Sequence, residues 1–291
     1  MADNSVQEAE RLLVEAEQCA KPRKILFFSA SPDYTEAAER YNRAGNAFKS
    51  CKEWRSAGDA FCKAAEMDVA AGEVDESARK LLNAASCYKK CDPAEAVTNI
   101  QAALEVLLRS GRFHLAAAHE KEIAEIYETQ LDDAKNAMAY YERAAERYAG
   151  EDSNSMAQSC RLKAATLAAI SGQYERAAMI FEEAASESVN DQLRKYSVRD
   201  FLLKGGICRL CSEDRIAGKR CIEGYPMIDA SFASSREYKL LNDILEALDN
   251  EDVEAFTDIV STFDRTNALD DWKTKMLLRI KKNFSEEPDL T

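Results

Sequence analysis

Small and large apolar residues recur along most of this chain at helical spacing. Pairs of alanine seven residues apart occur at Ala37/Ala44, Ala57/Ala64, Ala78/Ala85, Ala96/Ala103, Ala117/Ala124, Ala137/Ala144, Ala157/Ala164 and Ala177/Ala184, and successive pairs start 18 to 21 residues apart. Seven residues is about two helical turns, so each pair sets two small side chains on one helix face. Four residues after the first alanine stand Tyr41, Phe61, Leu82, Ile100, Tyr141 and Phe181, with Lys121 and Arg161 as exceptions. A large group flanked by small ones makes a ridge with a hole on either side, which lets neighbouring helices interlock. The spacing predicts one helix of roughly 14 to 16 residues per unit and a connection of about four to six, so that two units form a repeat of about 40.

The turn signals agree with that division. Asp92-Pro93, Ser110-Gly111, Gly150-Glu151-Asp152-Ser153 and Ser171-Gly172 all fall between units. The segment from Gly172 to Ala178, followed by Phe181, has the Gly-x-Tyr-x-x-Ala-x-x-x-Phe cadence of a tetratricopeptide second helix. The expected fold is all-α, a tetratricopeptide-like solenoid of antiparallel helix pairs whose repeat is longer than the usual ~34 residues. A first helix over Ser5 to Cys19 precedes the array. Beyond about residue 216 the rhythm fades: Gly224-Tyr225-Pro226 should interrupt helix, and Ser234 to Leu248, Asp252 to Phe263 and Ala268 to Lys282 read as three further amphipathic helices that cap the array. The expected division is 1–215, the array with an apolar contact loop at 21–33, and 216–291, a helical bundle with an acidic tail.

Composition narrows the function classes. With 10 Gly and 5 Pro in 291 residues, turn formers are too scarce for an all-β fold, and 46% hydrophobic residues suffice for a sizeable core. No window approaches the ~20 apolar residues of a membrane span, and the first twenty residues are too acidic and polar for a signal peptide, so a cytoplasmic chain is expected. The nine cysteines are an odd set without tight pairing and read as reduced core residues. The net charge of -13 gives no basis for nucleic-acid binding.

The search for catalytic chemistry finds no constellation. There is no phosphate-binding loop, since Gly218-Lys219 lacks both the earlier glycine and the following hydroxyl. His114 and His119, five residues apart, lack the glutamate of a His-Glu-x-x-His zinc site. Cys208 and Cys211 have redox-motif spacing within a helical pattern, without a preceding strand, and read as packed thiols. The working class is a binding protein without metal or other cofactor, not an enzyme.

Two segments are left over. Lys21-Pro22-Arg23-Lys24 precedes Ile25-Leu26-Phe27-Phe28, a continuous apolar run in an acidic chain. One reading makes it a staple that packs the first helix onto the array. The other makes it a surface loop for anionic membrane, where buried apolar groups and adjacent cations both contribute. At the other end, Leu290 stands alone among Glu286, Glu287 and Asp289, either in a frayed acidic tail or as a docking plug for a basic partner with an apolar pocket.

The combination of GNAF (45–48), KEWRSAGDAFCKAAEM (52–67), AEIYET (124–129), GEDSNS (150–155), Lys195-Tyr196-Ser197, DDWKTKMLLRIKK (270–282) and the acidic tail with penultimate Leu closely resembles the alpha type of the soluble NSF attachment protein (SNAP) family, through essentially the whole chain. The resemblance implies an adaptor. Several copies would wrap an assembled four-helix SNARE complex, of syntaxin-type and partner SNAREs, and recruit the AAA ATPase NSF, which uses ATP to pull it apart after membrane fusion. It implies a peripheral membrane location, with Ile25, Leu26, Phe27 and Phe28 in the place of the family's membrane-touching loop. It implies a basic SNARE-facing surface at Lys52, Lys89, Lys90, Arg112, Lys163 and Arg199, with Leu193 as an apolar contact. It implies NSF-facing positions at Glu213, Glu246, Asp249, Glu251 and Leu290. Ala118 and Ser159 stand where alpha-type relatives carry SNARE-facing lysines, and Asn250 replaces one acid. A general tetratricopeptide scaffold, such as a chaperone adaptor, is the rival reading; it would share the repeat and have no need of residues 25–28 or Leu290.

Overall fold

The structure, a computed structural model, describes residues 2–25, 28–212 and 214–285. In chain order the helices are α1 (Ala2–Cys19), α2 (Tyr34–Ser50), α3 (Trp54–Ala71), α4 (Val74–Tyr88), α5 (Pro93–Arg109), α6 (Phe113–Thr129), α7 (Ala134–Gly150), α8 (Asn154–Ile170), α9 (Tyr174–Ser188), α10 (Val198–Cys211), α11 (Arg215–Ile228), α12 (Arg236–Asp249), α13 (Val253–Thr266) and α14 (Asp271–Ser285). Between α1 and α2 lies a hairpin of two short strands, β1 (Arg23–Ile25) and β2 (Phe28–Ala30). Among the described residues no helix is long and apolar enough to cross a membrane.

Each alanine pair falls within one helix, and all sixteen alanines are at most 5% exposed. Tyr41, Phe61, Ile100, Tyr141 and Phe181 are buried beside them, and the partly buried Leu82 packs against the same core. The small side chains do what the pattern requires. Gly45 on α2 lies against the Phe61 ring of α3, and Gly58 on α3 against the Tyr88 ring of α4, so close that an added Cβ would sit 2.9 Å and 2.7 Å from ring carbons. The helices run 15 to 18 residues from α2 to α9; α4 and α9 have the expected length and the others are one or two residues longer. Asp33, Asp92 and Asp133 each accept a backbone N–H from the third residue on, which starts the helix before its first core position.

The chain divides into two compact units, residues 1–157 and 158–291. In the first, consecutive helices from α1 to α7 pack on one another, and from α2 to α7 they are joined by short turns, so neighbours there are antiparallel and form a solenoid. In the second, α10 is central: α9, α11, α12 and α14 all pack against it. The last helix returns onto α8, where Trp272 Nε1 donates to the Thr166 carbonyl at 3.1 Å and Arg279 Nη1 to that of Ala169 at 3.2 Å. Residues from both sides of position 215 thus share this unit's core.

Gly224-Tyr225-Pro226 does not interrupt helix; α11 runs to Ile228 with Pro226 in its last turn. A proline so near the end leaves few hydrogen bonds to lose, and buried Tyr225 anchors the turn by donating to Glu182 Oε1 at 2.8 Å. Cys208 and Cys211 lie buried in α10, with burial raising the first thiol well above its ordinary range and the second to about 12. Thiols so protonated are packing groups.

Candidate functional site

The apolar run at 25–28 is a hairpin in its described part. Arg23 pairs with Ala30, Lys24 with Ser29 and Ile25 with Phe28, so only positions 26 and 27 connect the strands. Leu26 and Phe27 themselves lie outside the described residues. Strand here, in an otherwise helical chain, follows from β-branched and aromatic residues at Ile25 and Phe28.

The basic positions of the first unit stand at helix ends. Lys52 is exposed in the turn after α2, with a left-handed backbone at φ 63°. Lys89 caps α4 and Lys90 follows it, exposed, in the next turn. The two turns adjoin, because Arg55 at the start of α3 reaches Asp92 at the start of α5 at 2.6 Å. Lys52, Lys89 and Lys90 therefore share one edge of the array. Arg112, exposed at the N-terminus of α6, belongs to a turn at the opposite ends of the helices.

Lys89 is already engaged. Its Nζ donates to Glu122 Oε1 at 2.8 Å, and the other oxygen, Oε2, lies 3.1 Å from His119 Nδ1. These two partners hold the Glu122 carboxyl down to about 2, the His119 contact contributing most. Beside them Lys121 faces Glu125 at 3.8 Å. Lys89, Glu122, Lys121 and Glu125 line a hollow of about 260 Å³ together with Ala118. The sequence reading missed Glu122, although the i, i+3 spacing of His119 and Glu122 on one helix was visible.

In the second unit Leu193 is 89% exposed and Tyr196 80%. The turn that presents them is built, not loose. Asp191 Oδ1 accepts the N–H groups of Leu193 at 2.9 Å and Arg194 at 3.2 Å, and its Oδ2 takes Arg194 Nε at 2.7 Å. Arg194 in turn donates to Gln158 at 3.1 Å. These bonds hold the Asp191 carboxyl below its ordinary range. Arg199 is exposed nearby and reaches Ser231 at 3.4 Å, and Lys163 is exposed on α8. Tyr196, which lines a hollow with Lys195 and Arg199, stands in the sequence only as part of the Lys195-Tyr196-Ser197 motif and not as a contact; its place in the turn is what shows it exposed.

The acidic positions of this unit converge. Glu246 and Asp249 are exposed on the last turn of α12, and Glu251 follows in the turn to α13 at φ 55°. Asp249 accepts from Lys219 Nζ of α11 at 2.9 Å, which raises the pKa of that lysine. Glu213 and Leu290 lie outside the described residues. Among the described residues no group of three or more His, Cys, Asp or Glu side chains is arranged to hold a metal ion.

Comparison with known proteins gives a consistent answer. The profile of a family described as soluble NSF attachment protein, SNAP, matches residues 7–285. The chain is 40% identical to the human alpha-soluble NSF attachment protein over 99% of both chains. It is 41% identical to the bovine beta-soluble NSF attachment protein over 96% of this chain and 94% of the relative. It is also 40% identical to a probable vesicular-fusion protein, a sec17 homologue, of Schizosaccharomyces pombe, over 91% of this chain and 92% of that one.

Proposed function

This chain belongs to the soluble NSF attachment protein family, and from that premise we propose that it is an adaptor that binds assembled SNARE complexes and brings NSF to them for disassembly. The observation that carries the reading is a match running from residue 7 to residue 285, which leaves neither unit unaccounted for. The reading assigns no bond-breaking chemistry to this chain; ATP hydrolysis belongs to NSF.

The SNARE-facing contacts in this proposal are Lys52, Lys89, Lys90 and Arg112 in the first unit and Lys163, Leu193 and Arg199 in the second. The exposure of all of them except Lys89, which is part-buried, and the edge shared by Lys52, Lys89 and Lys90 support it. Charge of this kind steers and registers an acidic bundle, so binding should weaken as salt rises. The NSF-facing contacts are Glu246, Asp249 and Glu251, supported by their convergence at the end of α12, with Glu213 and Leu290. The functional division we propose sets SNARE contacts within 1–215 and most NSF contacts within 216–291.

The apolar run Ile25, Leu26, Phe27 and Phe28 is proposed to touch anionic membrane, with the chain cytoplasmic and peripheral. One hairpin buries too few apolar side chains for stable anchoring. Several copies on one SNARE complex would add their contacts through effective concentration.

The test is reconstitution. An assembled SNARE complex, NSF and ATP are mixed with and without this protein, and disassembly is followed by loss of fluorescence transfer between labelled SNAREs. A marked acceleration is expected. A rate no higher than with NSF alone would falsify the adaptor reading and return the general scaffold to favour.

A further inference from the structure

We propose that Glu122 is a charge gate over Lys89, a specificity-determining residue that lowers the affinity of the basic edge until an acidic partner takes over the lysine. The inference rests on the SNARE-binding reading above and concerns the same surface.

The hollow between the end of α4 and the middle of α6 holds two cations and two anions. Lys89 is paired with Glu122 at 2.8 Å and Lys121 with Glu125 at 3.8 Å, so the local charge sums to zero. An acidic helix bundle meeting this surface finds Lys89 committed. Either the lysine leaves Glu122, or it keeps Glu122 and the partner carboxylate settles beside a second carboxylate. Both routes oppose binding, the first by breaking a part-buried ion pair and the second by repulsion between like charges.

His119 makes the first route workable. Its Nδ1 lies 3.1 Å from the Glu122 oxygen that Lys89 does not use, so the carboxylate retains a partner when the lysine moves away. All three side chains are held in place. Lys89 and Glu122 are each about one-third exposed and His119 less, and buried Tyr148 lines the same hollow. The Lys89 ammonium is thus reachable, while its counter-ion is fixed to the scaffold from behind.

A carboxylate at this place weakens binding of every acidic partner, and weakens poor ones most. A partner that presents a carboxylate in register with Lys89 recovers the ion pair; a merely acidic surface does not. Glu122 thereby trades affinity for selectivity between a registered bundle and unspecific polyanions.

The experiment measures binding of the full chain and its variants to a soluble, assembled SNARE bundle without membrane anchors, at several salt concentrations, with thermal unfolding as the check on folding. Glu122→Gln is expected to bind about two- to fivefold more tightly at low salt, with a steeper salt dependence, the advantage closing as screening increases. Glu122→Asp should remain close to wild type. Glu105→Gln removes the same charge from an exposed pair with Arg109 and should change binding much less. In a Lys89→Ala background the gain from Glu122→Gln should vanish. If Lys89→Ala weakens binding and Glu122→Gln does not strengthen it, the gate is overturned and the basic edge stands. An equal gain from Glu105→Gln, or a gain that survives Lys89→Ala, also overturns it, because the effect is then net charge alone. If neither Lys89→Ala nor Glu122→Gln changes binding, the role of Lys89 in the SNARE surface falls together with the gate.

Discussion

Lys52 and Glu251 occupy left-handed backbone positions of the kind that glycine fills at Gly72, Gly111 and Gly172. Asp132 and Asp152 share that conformation but tolerate it better, since a short polar side chain can bond locally. A long charged side chain gains nothing of that sort there. The strain, about 1–2 kcal/mol, outweighs the backbone entropy that glycine would add, about 0.5–1 kcal/mol. Lys52→Gly should therefore raise the denaturation midpoint modestly while weakening SNARE binding. A variant both stabler and fully binding would remove Lys52 from the surface. Glu122 also ties stability to pH. Its folded pKa lies below the ordinary 4.5, so its contribution to stability is present above that value and is lost as pH falls toward about 2. The stability difference between wild type and Glu122→Gln, followed by denaturant titration, should be open at pH 7 and close across that window.

Helices interlock through their small residues, and this sets what substitutions do between elements. A helical glycine replaced by alanine ordinarily gains up to about 1 kcal/mol in propensity. At Gly58 the new methyl would meet three ring atoms of Tyr88 at 2.7 to 2.8 Å, and that ring is buried and donates its hydroxyl to Asp59. Overpacking of about 1–3 kcal/mol exceeds the gain, so Gly58→Ala should lower the unfolding midpoint. The same burial logic governs thiols. Under native conditions iodoacetamide should modify the exposed Cys91 and spare Cys208 and Cys211, as mass spectrometry of the digested protein would report. The helices themselves were legible because their period is written in buried alanines. Their ends were less so, since polar caps such as Asp33 and Asp133 carry no hydrophobic period, and Pro226 looked like a break because sequence does not show how little helix follows it.

For the whole molecule, the apolar run at 25–28 and the acidic tail matter most. If the apolar run at residues 25–28 reaches lipid, Phe27→Ser/Phe28→Ser should slow disassembly of membrane-anchored SNARE complexes and leave that of soluble ones unchanged. An equal slowing of both would point to a packing role instead. Leu290→Ala should leave SNARE binding intact and reduce stimulation of the NSF ATPase. Weakened SNARE pull-down by that variant would contradict its assignment to the NSF side. Binding of the whole adaptor should also fall with rising salt, since its proposed SNARE contacts are mainly cations on a chain of net charge -13.

The helical class, the helix count through the repeat and the core face of each unit are written in the residues alone, because burial is periodic and every alanine pair marks it. Its motifs also carried the family, which the match along residues 7–285 bears out. Which charges meet is a matter of packing. That Lys89 faces Glu122 across 33 residues, that Asp249 faces Lys219 across 30, and that Leu193 and Tyr196 stand out from a turn pinned by Asp191 depend on how separate elements pack. A side chain's charge is local to the sequence, but the partner that neutralises it is set by three-dimensional neighbours.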